Sequence, residues 1–170
     1  MHHNVPTSRT GSALSAAMLS LVAILASQPA AAETDAKGFV RVAPDQVAWR
    51  TINPQGVKNV VLYGDPAKPG LYIVRNTFPP GIMSAPHSHS EDRIIVVIKG
   101  TWYTGTDDAW DVDATKPMSP GSYMIHPANA VHFDGARDEE VIVQITGMGP
   151  VKTVYTAPAE GGFGKPHKLK

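Results

Sequence analysis

The chain has 170 residues, 42% hydrophobic and 18% charged, a balance that suits one globular domain and excludes a disordered chain or two full domains. Acidic and basic residues number 15 each and the basic ones are scattered, so the electrostatic footprint of a nucleic-acid binder is missing. There is no cysteine, which removes disulfides, thiolate ligands and a Cys nucleophile.

Arg9 stands ahead of an apolar run over 13–26, and Pro29-Ala30-Ala31-Ala32 forms a small-residue exit. This pattern predicts a secretory signal peptide over 1–32, cleaved before Glu33. The alternative is a membrane anchor, but a span needs ~20 apolar residues and this run is shorter. No twin arginine is present, so Sec-type export is expected. The mature protein would be periplasmic or secreted, with no membrane contact after cleavage. His2 and His3 fall in the leader and are set aside as ligands.

Residues 33–56 read as an N-terminal arm with a possible turn at 44–49. From 57 onward, Pro and Gly punctuate short runs rich in Val, Ile, Thr and Tyr. Predicted strands fall at 57–63, 71–78, 94–98, 101–104, 122–126, 131–133, 141–146 and 151–155. Many short strands at this spacing predict an all-β sandwich or barrel over 57–156. No window after the leader shows a 3.6-residue period. Ile94-Ile95-Val96-Val97-Ile98 is apolar at every position and reads as a central strand buried on both faces. The stretch 107–113, with Trp110 in it, is a polar excursion. The tail over 157–170 carries Gly161, Gly162 and Gly164 without a strand pattern. It is expected to be a flexible end or an arm on a partner subunit.

The chemistry concentrates in Pro86-His87-Ser88-His89-Ser90-Glu91-Asp92. His87 and His89 are two apart, which in a strand puts both imidazoles on one face. His132 follows its own turn-forming stretch, Pro127-Ala128-Asn129. Histidines from two strands can converge on one divalent transition metal, since neutral imidazole suits Fe, Cu, Ni and Zn.

With these residues placed, the chain resembles the cupin family. That family's first motif runs Gly, five residues, His-x-His, three or four residues, Glu, six residues, Gly; here the positions are Gly81, His87, His89, Arg93 and Gly100. Its second runs Gly, five residues, Pro-x-Gly, two residues, His, three residues, Asn; Gly121, Pro127 and His132 match, with Asn129 and Ala136 in place of the Gly and Asn. Gly64-Asp65-Pro66, Ile98-Lys99-Gly100-Thr101-Trp102 and Gln144 to Pro150 are similar to segments of small bacterial cupins. The resemblance implies a single-domain cupin β-barrel (jelly roll). It also implies a metal centre at His87, His89 and His132 holding Fe, Cu, Ni or Zn.

Arg93 stands where the family has a metal-binding glutamate. Arginine stays protonated and cannot ligate a metal. It is either a salt-bridge residue, paired with Glu91, Asp92 or Asp134, or a clamp for a bound anion. Gln144, in the otherwise apolar run 141–145, is expected to orient a ligand histidine, contact substrate or serve a structural role. His126 is expected to be a rim or core hydrogen-bonder. One of Trp102 and Tyr103 should face the cavity, and Met83, Met118, Met124 and Met148 are expected to pack rather than ligate.

Two function classes follow, with a stress-linked structural or interaction protein carrying a vestigial site as a third possibility. One is a metal-dependent enzyme acting on a small anionic or chelating organic substrate, by dioxygenase-like or isomerase/lyase-like chemistry. In it, Arg93 would neutralise bound charge. The other is a non-catalytic cupin that binds a small anion, with a vestigial or absent metal. The expected partners are a small-molecule ligand and a second copy in a homodimer, with no nucleic acid.

Overall fold

The structure is a computed structural model that describes residues 1–2 and 33–169. The predicted signal peptide therefore lies, beyond its first two residues, outside the described residues. The strands in chain order begin with β1 (Glu33–Thr34), β2 (Val40–Arg41), β3 (Arg50–Thr51), β4 (Lys58–Tyr63) and β5 (Gly70–Phe78). Next come β6 (Met83–Ser84), β7 (His87–His89), β8 (Arg93–Lys99), β9 (Trp102–Gly105) and β10 (Lys116–Met118). The last are β11 (Tyr123–His126), β12 (Phe133–Ala136), β13 (Val141–Gly149), β14 (Thr153–Tyr155) and β15 (Phe163–Gly164). No α-helix occurs among the described residues, and the turn anticipated at 44–49 is a 3-10 turn over Pro44–Gln46.

Two antiparallel sheets face each other, as expected for a cupin jelly roll. One has the order β11-β8-β13-β5-β4-β3 and the other β10-β9-β12-β6-β15. Strand alternation fills the space between them. In β13, Val141, Val143 and Ile145 point inward; in β8, Ile95 and Val97 do; in β5, Tyr72, Val74 and Phe78 do. Trp102 and Ala136 meet them from the second sheet. Each fully buried aliphatic or aromatic side chain here contributes ~1.5–3 kcal/mol of transfer free energy. Phe133 lies opposite Gly105, and a Cβ there would stand 2.1 Å from the Phe133 ring, so glycine is the residue that lets this ring enter.

Two expectations are corrected, and the burial of one residue adds to a third. Ile94 and Ile98 are 42% and 43% exposed, so β8 is buried on one face only. On the outer face Ile125 of β11 stands opposite Ile94 and is exposed as well. The tail is not free of strand structure: β15 extends the second sheet by pairing with β6, and Phe163 packs on the core. Trp110 is buried although its loop is polar; it packs with Met83, Ala85 and Phe133.

Candidate metal centre

Three backbone devices bring the histidines together. His87 and His132 exchange both backbone hydrogen bonds, each N–H donating to the other's carbonyl at 2.9 Å. β14 pairs with β7 in a register that sets Thr153 opposite His89 and Tyr155 opposite His87. Asn129 donates its N–H to the His89 carbonyl at 2.7 Å and adopts φ 63°. Asn tolerates this left-handed conformation, which explains how it replaces the family's glycine. Asp92 Oδ1 accepts from the Ala128 N–H at 2.7 Å, tying the same loop to the start of β8.

The side chains are oriented as well as placed. His87 Nδ1 donates to the Ala85 carbonyl at 2.7 Å, and His132 Nδ1 to the Ala130 carbonyl at 2.9 Å. A ring nitrogen that donates fixes the tautomer, so the lone pair of each ring sits on Nε2. His89 Nδ1 is 3.1 Å from Thr153 Oγ1; since the Arg93 guanidinium can only donate to His89 Nε2, the lone pair of this ring is also on Nε2 and Nδ1–H donates to the hydroxyl. The ligand atoms of His87, His89 and His132 all lie within 4.8 Å of one another, and all three residues are buried. Nε2 of His132 has no protein partner.

Burial pushes His87 down to about 4, so its ring is neutral at pH 7. Burial, and next the charge of Arg93, pushes His89 far below the ordinary histidine range. Burial lowers His126 and His132 too. Neutral imidazoles with convergent lone pairs fit a divalent ion with soft-to-borderline preference, so the donor set passes the test of chemistry.

Arg93 points inward, on the face of β8 that carries Ile95 and Val97. It makes no ion pair among the described residues, so the salt-bridge alternative with Glu91, Asp92 or Asp134 is corrected. Instead Arg93 Nη1 donates to His89 Nε2, the very lone pair a metal would use. Arg93 Nε is buried without an acceptor. Gly147 lies opposite Arg93 in β13, and a Cβ there would come within 2.6 Å of the Tyr72 hydroxyl. The glycine thus admits Tyr72 beside Arg93.

Gln144 does not belong to the site. It sits on the face of β13 opposite Val143 and Ile145, which line the cavity, and its Oε1 accepts from Arg75 Nε at 3.0 Å. Of the three roles expected for it, the structural one is what is seen, an outer-face hydrogen bond, and no contact with a histidine or the cavity accompanies it. Trp102 is the aromatic that faces the cavity, while the Tyr103 ring carries Arg137 over it. None of the four methionines lines the cavity.

Sequence reasoning undervalued His126. It is buried, neither ring nitrogen has a partner, and its ring centroid is 3.7 Å from that of His132. With His132 and Asp134 it forms a second group of mutually close ligand atoms. Asp134 Oδ1 accepts from Trp102 Nε1 at 3.3 Å. The signal was non-local: His126 pairs with Arg93 across β11 and β8. Thr153 and Tyr155 were also missed, although they alternate on β14 as His87 and His89 do on β7. The cavity these residues enclose has a volume of about 200 Å³ and mixes polar groups with Ile95, Trp102, Val143 and Ile145.

Solved structures with this fold include the DMSP lyase DddQ from Ruegeria pomeroyi, 19% identical, with a TM-score of 0.53 over 66% of this chain. This chain spans 62% of that lyase's length, less than two thirds. The polyketide cyclase RemF from Streptomyces resistomycificus is 18% identical, with a TM-score of 0.53 over 68% of this chain and 84% of its own. KdgF from Halomonas sp. is 18% identical, with a TM-score of 0.50 over 64% of this chain and 94% of its own. Likeness at this identity speaks to the fold alone. No curated protein sequence matches the chain. The model of the ChrR cupin-like domain matches residues 37–152, which takes in part of the N-terminal arm as well as the barrel. A match of that extent settles membership, and the chain belongs to the ChrR cupin-like family.

Proposed function

We propose that this cupin binds one first-row transition metal through His87, His89 and His132 and acts there on a small anionic or chelating organic substrate. The observation that supports this reading is the set of three Nε2 lone pairs, each oriented by a hydrogen bond at the far side of its ring. A bound ion would supply Lewis acidity toward a substrate oxygen, for dioxygenase-like or isomerase/lyase-like chemistry. The chain's own residues do the rest. Ile95, Trp102, Val143 and Ile145 wall off water from one side of the cavity. Arg93, which makes no salt bridge among the described residues, offers a positive charge to an anionic group.

Export through the predicted leader, a periplasmic or secreted location and a homodimer that covers the exposed face of β8 belong to the same proposal. A second reading, a non-catalytic anion-binding cupin, is favoured by one observation: Arg93 occupies the His89 lone pair. Elemental analysis of untagged protein from its native compartment separates the two. About one Fe, Cu, Ni or Zn per chain supports the metal centre. Metal-free protein that stays metal-free after reconstitution supports the anion module.

A further inference from the structure

Beside the histidine cavity lies a second space of about 170 Å³, lined by Asn59, Tyr72, Asn76, His89, Arg93 and Thr153 together with apolar residues. Asn59, Asn76, His89, Arg93 and Thr153 also line the first cavity, so they form the wall between the two. Among the described residues, Arg93 is the only charged one lining this second space, and no carboxylate lines it. The remaining polar groups are amides, hydroxyls and a neutral imidazole. The Tyr72 hydroxyl and the Arg93 guanidinium lie beside each other, and neither that hydroxyl nor the Arg93 Nε–H has a partner in good hydrogen-bond geometry. Such orphaned groups are costly to bury, and a native structure keeps them where something else satisfies them. Asn59 Nδ2 donates to Asn76 Oδ1 at 2.6 Å, which leaves the Asn76 amide N–H groups free.

We infer that this space is a receptor for a small carboxylate, and that carboxylate and metal bind with positive coupling because Arg93 holds the His89 lone pair until the anion takes it away. The inference rests on the metal centre proposed above and adds an anion site with its own consequence. A planar carboxylate matches the guanidinium fork bidentately, and Tyr72 and Asn76 can donate to its remaining lone pairs. An ionised acceptor outcompetes the neutral imidazole for the guanidinium. Once Arg93 turns toward the anion, His89 Nε2 is free, and the anion neutralises the charge that opposed a cation. Each ligand then raises the other's affinity by the same factor.

The test is a zinc titration of the full chain against a chromophoric chelator, in acetate or in chloride of equal ionic strength. Acetate should tighten zinc binding at least about tenfold, within the usual range of such couplings. Arg93→Gln should bind zinc in chloride as tightly as wild type does in acetate, with no further response to acetate. Asn76→Asp puts a carboxylate beside Arg93 and keeps an acceptor for Asn59; it should tighten zinc in chloride, and it carries the test if Arg93→Gln fails to melt cooperatively. Equal zinc affinity in acetate and chloride would overturn the coupling and leave the metal centre standing. Tightening by acetate of equal size in Arg93→Gln would also overturn it, since the anion would then act on the metal itself. Failure of wild type to bind zinc in either medium would overturn the metal centre, and the coupling with it.

Discussion

Restoring the family's carboxylate with Arg93→Glu is the sharpest perturbation of this site. A cation on His89 Nε2 lies ~2 Å from that nitrogen. Arg93 Nη1 touches the same nitrogen, so its charge would stand within roughly 5 Å of the ion. At an effective dielectric near 20, a unit charge pair at that range interacts by about 3 kcal/mol. A divalent ion doubles this and the sign reversal doubles it again, while side-chain relaxation and water remove most of the nominal gain. A tightening of at least ~2 kcal/mol, about thirtyfold, is the expected remainder. Arg93 has no ion pair to lose, so the metal-free variant should give up only its hydrogen bond to His89 and bear a buried carboxylate. That is a loss of ~1–3 kcal/mol, which zinc should restore. Chelator competition and thermal melting, run side by side, read both quantities. Unchanged zinc affinity with a large fall in melting temperature would refute the reasoning.

Alanine at His87, His89 or His132 should lower zinc affinity at least tenfold, with His126→Ala near wild type; an equal loss at His126 would move the ion to the His126–His132–Asp134 group. Gly105→Ala should destabilise the fold by ~1–3 kcal/mol by driving a methyl into the Phe133 ring, read as a lower urea midpoint and relieved by Phe133→Leu. Metal-free protein should lose stability on acidification. The folded His87 pKa is about 4 against 6.5 unfolded, so its contribution is intact above pH 6.5 and is lost as pH falls toward 4. That contribution is about 3 kcal/mol from His87 alone, and His89, His126 and His132 shift the same way. Equal urea midpoints at pH 7.5 and pH 5 would show that these rings are not held neutral. N-terminal sequencing of the exported protein should begin at Glu33, and a start at Met1 would remove the periplasmic assignment.

Strand order along the chain and the histidine triad were readable from sequence because both rest on local patterns, turn residues for one and i, i+2 spacing for the other. Faces were not readable wherever a run is apolar at both parities. Ile94 to Ile98 carries no phase, and neither do the residues around Gln144. The face each presents is set by neighbours in the sheet, and Gln144 went outward to meet Arg75. Asn129 looked like a departure from the family motif and proved to be a conformational equivalent, since it takes a left-handed φ. His126 and Thr153 entered the site through cross-strand register with residues 33 and 64 positions away, a relation that no window of sequence contains.

The pairing of β14 with β7 imposes an order of assembly. His89 has its outer nitrogen held by Thr153, and the strand bearing both histidines has Thr153–Tyr155 as its hydrogen-bonded neighbour. A chain emerging from a ribosome or a translocation channel presents His87 and His89 long before residues 153–155 follow. Until they arrive, the His89 ring can rotate and exchange tautomers, and the pocket has one side open. The oriented histidine cluster is therefore complete only after β14 has docked. A protein threaded through a membrane unfolded would acquire its ion from whatever metals the far compartment supplies.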